Sequence, residues 1–247
     1  MLLFSVILVS FATAQTAGSP TATPIALPKI SIGLDGAKGS DQLSTSLQLL
    51  AMLTILSIAP AIMILTTAFT RIVIILGLTR TALGTTNIPP NQVLIGLSLF
   101  LTFYVMSPTY SKINDASLQP YMKKQISAEV AIERAQKPMR EFMLKNTYTK
   151  DLNLFLNLRG EKATPENVSM TALIPAFILS ELKTAFIVGF YIFVPFVIID
   201  LVIASILMSL GMMMMPPSVV SLPAKLLVFI LADGWSLLVT TILSGYR

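Results

Sequence analysis

The chain has no cysteine and no histidine among its 247 residues. Without cysteine there are no disulfides and no thiol nucleophile. Without histidine there is no Ser-His or Cys-His catalysis, and the usual zinc ligand sets are lost as well. The side chain that most often moves protons near neutral pH is also missing. Charge is scarce: 12% of residues are charged against 54% hydrophobic. Soluble domains carry about 25% charged residues, so this composition points to a membrane protein. The net charge of +5 is modest, and the sequence shows no clustered basic face of the kind that binds nucleic acid. No G-x-S-x-G and no phosphate-binding loop occurs. No metal site and no cofactor is expected.

What is present begins with MLLFSVILVSFATAQ. An apolar run over residues 2–12 ends in Ala12-Thr13-Ala14 before Gln15, a small-residue cleavage pattern. Residues 1–14 are therefore expected to be a secretory signal peptide cut between Ala14 and Gln15. No Lys or Arg precedes the apolar run, and the alternative is a short uncleaved anchor. Residues 15–46, rich in Ser, Thr, Pro and Gly, have the composition of a flexible tail.

Four apolar blocks follow, over residues 47–69, 91–111, 168–199 and 201–246. A spanning helix needs about 20 apolar residues, and the first two blocks qualify as single spans. The last two carry Pro175, Pro195 and Pro223 as well as charges. Irregular backbone at membrane depth is tolerated only against protein or a cavity, so this half is expected to pack within an assembly. The expected fold is all-α and membrane-associated. It has a first helical hairpin over 47–111, an amphipathic helical segment over 112–167, and helical hairpins over 168–247.

Segment 112–167 holds ten of the seventeen basic residues and seven of the twelve acidic ones. In PMREFMLKN, Pro138 stands at a plausible helix start, and Met139, Phe142 and Met143 fall on one face. DLNLFLNL repeats the spacing with Leu152, Phe155 and Leu156. Two short amphipathic helices are expected, docked on a partner or capping the same chain. A cleaved signal places the tail outside, a loop over 70–90 inside and segment 112–167 outside. The positive-inside rule pulls this Lys/Arg-rich segment the other way, but it weakens for loops near 60 residues. The signal takes precedence.

Glu181, Lys183, Asp200, Lys225 and Asp233 stand in apolar company. Such groups are costly in a membrane and usually pair or face a bundle interior or pore. They are candidates for charge pairs or assembly contacts. Two catalytic readings compete. Asp200 with Asp233 is formally an intramembrane aspartyl dyad, and Ser180 with Lys183 a Ser-Lys dyad. Both signals are weak, and no enzyme is expected. A small-solute or ion transporter is another alternative, but transporters often show internal repeats, and none is evident between the two halves.

The stretch FTRIVIILGLTRTALGT followed by PPNQVLIGLSLFLTFYVMSP resembles the FliP family of flagellar biosynthetic proteins. So do PAFILSELKTAF, VPFVIIDLVIASILMSLGMMMMPP, LPAKLLVF and DGWSLLV. The related injectisome proteins share the pattern, and REFMLKNT and GMMMMPP are most similar to the flagellar members. The resemblance runs from about residue 66 to 238. One departure is Ile187, where the family usually has a polar residue.

The resemblance implies a non-enzymatic, pore-forming subunit of the flagellar type III export gate, passing unfolded flagellar subunits. It implies self-association in five copies, joined by FliQ and FliR in a helical hetero-oligomer of broken helical hairpins. FlhB and FlhA would be further members of the export apparatus, and FliO an assembly factor. The implied location is the bacterial inner membrane within the flagellar basal body, much of the gate lying on the periplasmic side. It also gives Met212, Met213, Met214 and Met215 a meaning. Methionine is unbranched and adaptable, and a ring of such loops is a soft apolar constriction that closes by dewetting. Gly211 permits the bend, and Pro216 and Pro217 cannot continue a helix. The alternative is that these methionines fill a core between helices.

Overall fold

Between residues 42 and 70 the chain carries no charge, and the first consequence is helix α1, Ser40–Leu65, apolar on all sides. The computed structural model describes residues 40–160, 167–212 and 215–246, with side chains from residue 47. The expected signal peptide with its Ala14 and Gln15, the tail up to residue 39, and Met213 and Met214 lie outside the described residues. The chain divides into two units, Met1–Leu50 and Ala51–Arg247. The first unit contributes the start of α1 at Ser40, seven residues before the apolar block opens. All described elements are helical.

In the second unit α1 runs through Pro60 and stops at Leu65. The hydroxyls of Thr66 and Thr67 donate to the carbonyls of Ile62 and Ile64, both at 2.9 Å. Each hydroxyl shares its carbonyl with the backbone N–H of the same threonine, a local back-bond at the helix end. Helix α2, Phe69–Ala82, follows at once. The expected loop over 70–90 is thus mostly helix. The reason is spacing: Ile72, Ile75, Leu76 and Thr79 lie on one buried face, which packs on α7, Met170–Ser209. Gly189 of α7 has no Cβ to collide with Leu78, so the two helices approach closely there.

Helix α3, Asn91–Ile113, passes through a π-helical turn, Asn114–Leu118, into the short α4, Gln119–Met122. Ser98 and Thr102 are buried on α3 but donate to the carbonyls of Leu94 and Ser98 one turn back, at 2.7 and 2.6 Å. That satisfies their hydroxyls without a partner helix.

Helix α5, Ala128–Lys145, starts ten residues before Pro138. The Ser127 side chain accepts from the Val130 N–H at its N-terminus, and Pro138 is buried inside the helix instead of opening it. Met143 of α5 joins Leu152 and Leu156 of α6, Thr149–Arg159, in one core with Ala172, Leu173 and Phe177 of α7. The apolar faces of segment 112–167 therefore dock on the chain's own long helix.

Helix α7 is continuous for 40 residues through Pro175, Pro195 and Asp200, where the sequence suggested an interruption. At 1.5 Å per residue it is about 60 Å long, twice the hydrocarbon core of a bilayer. Helices α8, Pro217–Leu231, and α9, Gly234–Ser244, follow as a pair bent by 65°. Among the described residues Leu47–Leu65, Asn91–Met122 and Met170–Ser209 are long and apolar enough to cross a membrane, and the bent pair makes a possible fourth span.

Candidate functional site

Met212 and Met215, the described ends of the methionine run, lie between α7 and α8. Gly211 has φ +75°, a left-handed conformation that favours glycine. Its N–H donates to the Met208 carbonyl at 3.1 Å, and the Met212 N–H reaches back to Leu207 at 3.0 Å. This pair of bonds is the Schellman closure of a helix end. On the other side Pro217 is the first residue of α8, where a missing N–H costs nothing. Gly211 thus ends α7 and Pro217 opens α8, with Met212 and Met215 in neither helix. Met212 and Met215 are both exposed.

Three turns before the methionine run, Asp200 of α7 faces α8. One carboxylate oxygen accepts from the Lys225 ammonium at 2.6 Å and the other from the Ser221 hydroxyl at 2.5 Å. Lys225 is buried, and it also donates to the Ala82 carbonyl at 3.2 Å. Ala82 ends α2, so the lysine caps a carbonyl left free by that helix. One side chain thereby fastens three helices below the methionine run.

Glu181 is fully buried on α7, and its partners come from both ends of the second unit. Arg71 of α2 donates to one of its oxygens, and the Tyr246 hydroxyl donates to the other at 2.6 Å. The guanidinium also reaches the Gly245 carbonyl at 3.1 Å and lies 4.0 Å from the centre of the Tyr246 ring. Tyr246 stacks on Phe142 of α5, with ring centres 6.2 Å apart. Helix α2 and the residues after α9 thus meet α7 at this one carboxylate, and α5 joins them through the Tyr246 ring.

A third joint secures α6. Asp151 is buried and accepts from both Lys183 and Ser180 of α7, the latter at 2.9 Å. Ser180 in turn accepts from the Tyr148 N–H at 3.0 Å. Burial alone would raise the Asp151 carboxyl. The hydrogen bonds from Lys183 and Ser180, with the attraction of Lys183 and Lys150, outweigh it and hold the group below the usual carboxylate range.

The two catalytic constellations find other employment in this geometry. Lys183 donates a hydrogen bond to Asp151 as an ammonium, which has no lone pair with which to activate Ser180. Asp200 is occupied by Lys225 and Ser221, while Asp233 is exposed at the bend between α8 and α9 with φ 48°. No group of three or more His, Cys, Asp or Glu able to hold a metal occurs among the described residues. Sequence reasoning missed Arg71, Asp151 and Tyr246. Arg71 was visible only as a lone base between apolar runs, Asp151 as one charge in a charged segment, and Tyr246 as an aromatic after the last block.

The model of the FliP family matches residues 52–242, which takes in all three joints except Tyr246 and Gly245. The chain belongs to the FliP family. It is 50% identical over 218 residues to the flagellar biosynthetic protein FliP of Bacillus subtilis, covering 87% of this chain and 98% of that one. It is 53% identical over 210 residues to FliP of Pectobacterium carotovorum, covering 84% and 81%. With FliP of Aquifex aeolicus the identity is 46% over 213 residues, covering 85% and 89%. As a FliP-family chain it carries its methionine run, its Asp200–Lys225 pair and its Glu181–Arg71 pair within the matched region.

Proposed function

We propose that this chain is a pore-forming subunit of the flagellar type III protein export gate. It conducts unfolded flagellar subunits across the bacterial inner membrane and performs no chemistry of its own. The observation that carries this reading is the coincidence of FliP-family membership with a run of four methionines, its ends Met212 and Met215 exposed, bounded by Gly211 and two prolines. Copies of the chain, five in the gate, associate with one another and with FliQ and FliR. FlhB and FlhA join them in the export apparatus, and FliO assists assembly. Residues 1–14 are removed, residues 15–46 form a tail, and segment 112–167 lies on the outer side with much of the gate. Met212, Met213, Met214 and Met215 from each copy form a gasket. Such a ring excludes water and ions when closed and yields to a polypeptide of any sequence. Glu181, Lys183, Asp200 and Lys225 hold the helices that frame it, and Asp233 marks the bend that shapes the last limb.

The test is ion leak across the cell membrane when the chain is expressed with FliQ and FliR. Wild type is compared with a variant in which all four methionines are glycine, at equal amounts of assembled complex. Leak confined to the variant is the expected result. A tight membrane with a well-assembled variant would refute the gasket.

A further inference from the structure

All the readily oxidised sulfur of this chain is thioether, since it has thirteen methionines and no cysteine. The fold sorts these methionines by the medium that reaches them. Met106 and Met143 are at 0% exposure, closed to any solute. Met52, Met63, Met122 and Met208 are exposed, but each stands within a candidate membrane span, against hydrocarbon or at its edge. Met212 and Met215, 41% and 44% exposed, are the exposed methionines among the described residues that lie outside every candidate span. The Met215 N–H donates to the Met212 carbonyl at 3.4 Å, so the two thioethers leave neighbouring points of the backbone.

A thioether reacts with hydrogen peroxide without help from any neighbouring group. A sulfur lone pair attacks one peroxide oxygen, an S–O bond forms and the O–O bond breaks. The proton of the transferred oxygen passes to the departing hydroxide, which leaves as water. Sulfur is oxidised by two electrons and peroxide is reduced by two. The product is a polar, chiral sulfoxide in place of a flexible apolar group. An apolar constriction closes because water withdraws from it. A sulfoxide oxygen accepts hydrogen bonds from water and keeps such a constriction wet.

We infer that Met212 and Met215 form an oxidation site, and that hydrogen peroxide, by converting them to sulfoxides, unseals the closed gate to ions. This inference rests on the proposed gasket and assigns that same site a redox sensitivity. Every copy in the ring brings the same pair, so the sulfoxides collect around one opening. Neither residue takes part in the joints at Asp151, Glu181 and Asp200, whose bonds run to Lys183, Ser180, Arg71, Tyr246, Lys225 and Ser221. Oxidation therefore leaves the helices fastened and changes the seal alone. The change outlasts the oxidant, because sulfoxide returns to thioether through methionine sulfoxide reductases, one for each sulfur epimer.

The test treats membrane vesicles holding the complex with FliQ and FliR briefly with hydrogen peroxide, removes the oxidant, and measures ion leak against vesicles without the complex. Peptide fragmentation locates each added oxygen. Sulfoxide is expected at Met212 and Met215 with Met106 and Met143 unchanged, and leak is expected to approach that of the four-glycine variant. A second variant carries Met52→Leu, Met63→Leu, Met122→Leu and Met208→Leu and is compared at equal amounts of assembled complex. It is expected to be as tight as wild type before the oxidant and as leaky after it. Loss of the peroxide-induced leak in that variant would put the sensitive sulfur elsewhere and overturn the inference. Met212 and Met215 left unoxidised when Met122 has reacted would overturn it too. Vesicles that stay tight with both residues oxidised, while the four-glycine variant leaks, would overturn this inference and leave the gasket standing. A tight four-glycine variant would remove the gasket reading and this inference with it.

Discussion

Replacing Glu181 with alanine removes the acceptor that ties α2 and the residues after α9 to α7. Arg71 and Glu181 have 5% and 0% of their side chains exposed, so water cannot enter to take the missing place. The guanidinium keeps the Gly245 carbonyl and the Tyr246 ring, and its Nε already has no partner. The Tyr246 hydroxyl keeps one recourse, the Ala68 carbonyl at 3.3 Å. Removing one member of a buried ion pair costs about 3–5 kcal/mol, and the surviving contacts put Glu181→Ala at the lower end. For a chain of this size each 1 kcal/mol lowers the melting temperature by about 2–4 °C, so a drop of roughly 6–16 °C is expected. Glu181→Gln keeps the shape and an acceptor but loses the charge, and should cost about 1–2 kcal/mol. The double replacement Arg71→Met with Glu181→Leu should recover most of the loss, because well-packed apolar groups can replace a buried pair at little cost. The assay is thermal unfolding of the full chain in mild detergent, followed by loss of the monodisperse peak. A Glu181→Ala chain that melts within about 2 °C of wild type, or a double variant no better than the sum of its singles, would refute the reasoning.

The Asp200–Lys225 pair should be asymmetric. Asp200 is 38% exposed at its side chain and Lys225 only 7%, so Asp200→Ala leaves a buried ammonium without its counter-charge, while Lys225→Ala leaves a carboxylate that water can reach. The first is expected to cost more than the second, about 3 against about 1–2 kcal/mol, and equal melting temperatures would contradict this. Asp151 sets a pH window: its folded-state value lies below the unfolded one of about 3.9, so its stabilisation is complete well above that pH and fades as pH falls through the lowered folded value. The stability difference between wild type and Asp151→Asn, measured by proteolysis of segment 112–167, should be constant near neutrality and shrink below about pH 4; a difference unchanged to strong acid would count against it. Two glycines should respond in opposite directions. A Cβ on Gly189 would strike Leu78, whereas one on Gly77 meets nothing within 4 Å. Gly189→Ala should destabilise by about 1–3 kcal/mol and Gly77→Ala should stabilise by about 0.5–1 kcal/mol, as read from melting temperatures; destabilisation by both would show that the α2–α7 spacing is not the cause.

The sequence by itself determined the medium and the punctuation of the chain. Scarce charge and apolar blocks beyond the length of a span require helices that hydrogen-bond internally, because hydrocarbon offers no partner for a free backbone. Gly211 and the proline pair set the end of α7 and the start of α8 on either side of the methionine run, since each acts on its own backbone and needs no distant contact. Local rules failed where packing overrode them. Proline suits a helix start, which is where the spacing puts Pro138, yet α5 extends in front of it, held by its buried face and the Ser127 cap. Pro195 and Asp200 resemble a break, yet α7 continues, because Lys225 neutralises the charge, Ser221 hydrogen-bonds the carboxylate and the flanking apolar residues favour helix.

Only the tertiary structure decided who pairs with whom. Glu181 and Lys183, two residues apart, were natural candidates for each other or for the remaining acids and bases of the last blocks. On a helix, residues two apart do not face one another. Glu181 turns to Arg71, 110 positions away, and Lys183 to Asp151, 32 positions away. No spacing in the sequence encodes those separations. They follow from α2 and α6 packing on different faces of the same long helix, and a buried charge takes whatever opposite partner that packing brings within reach.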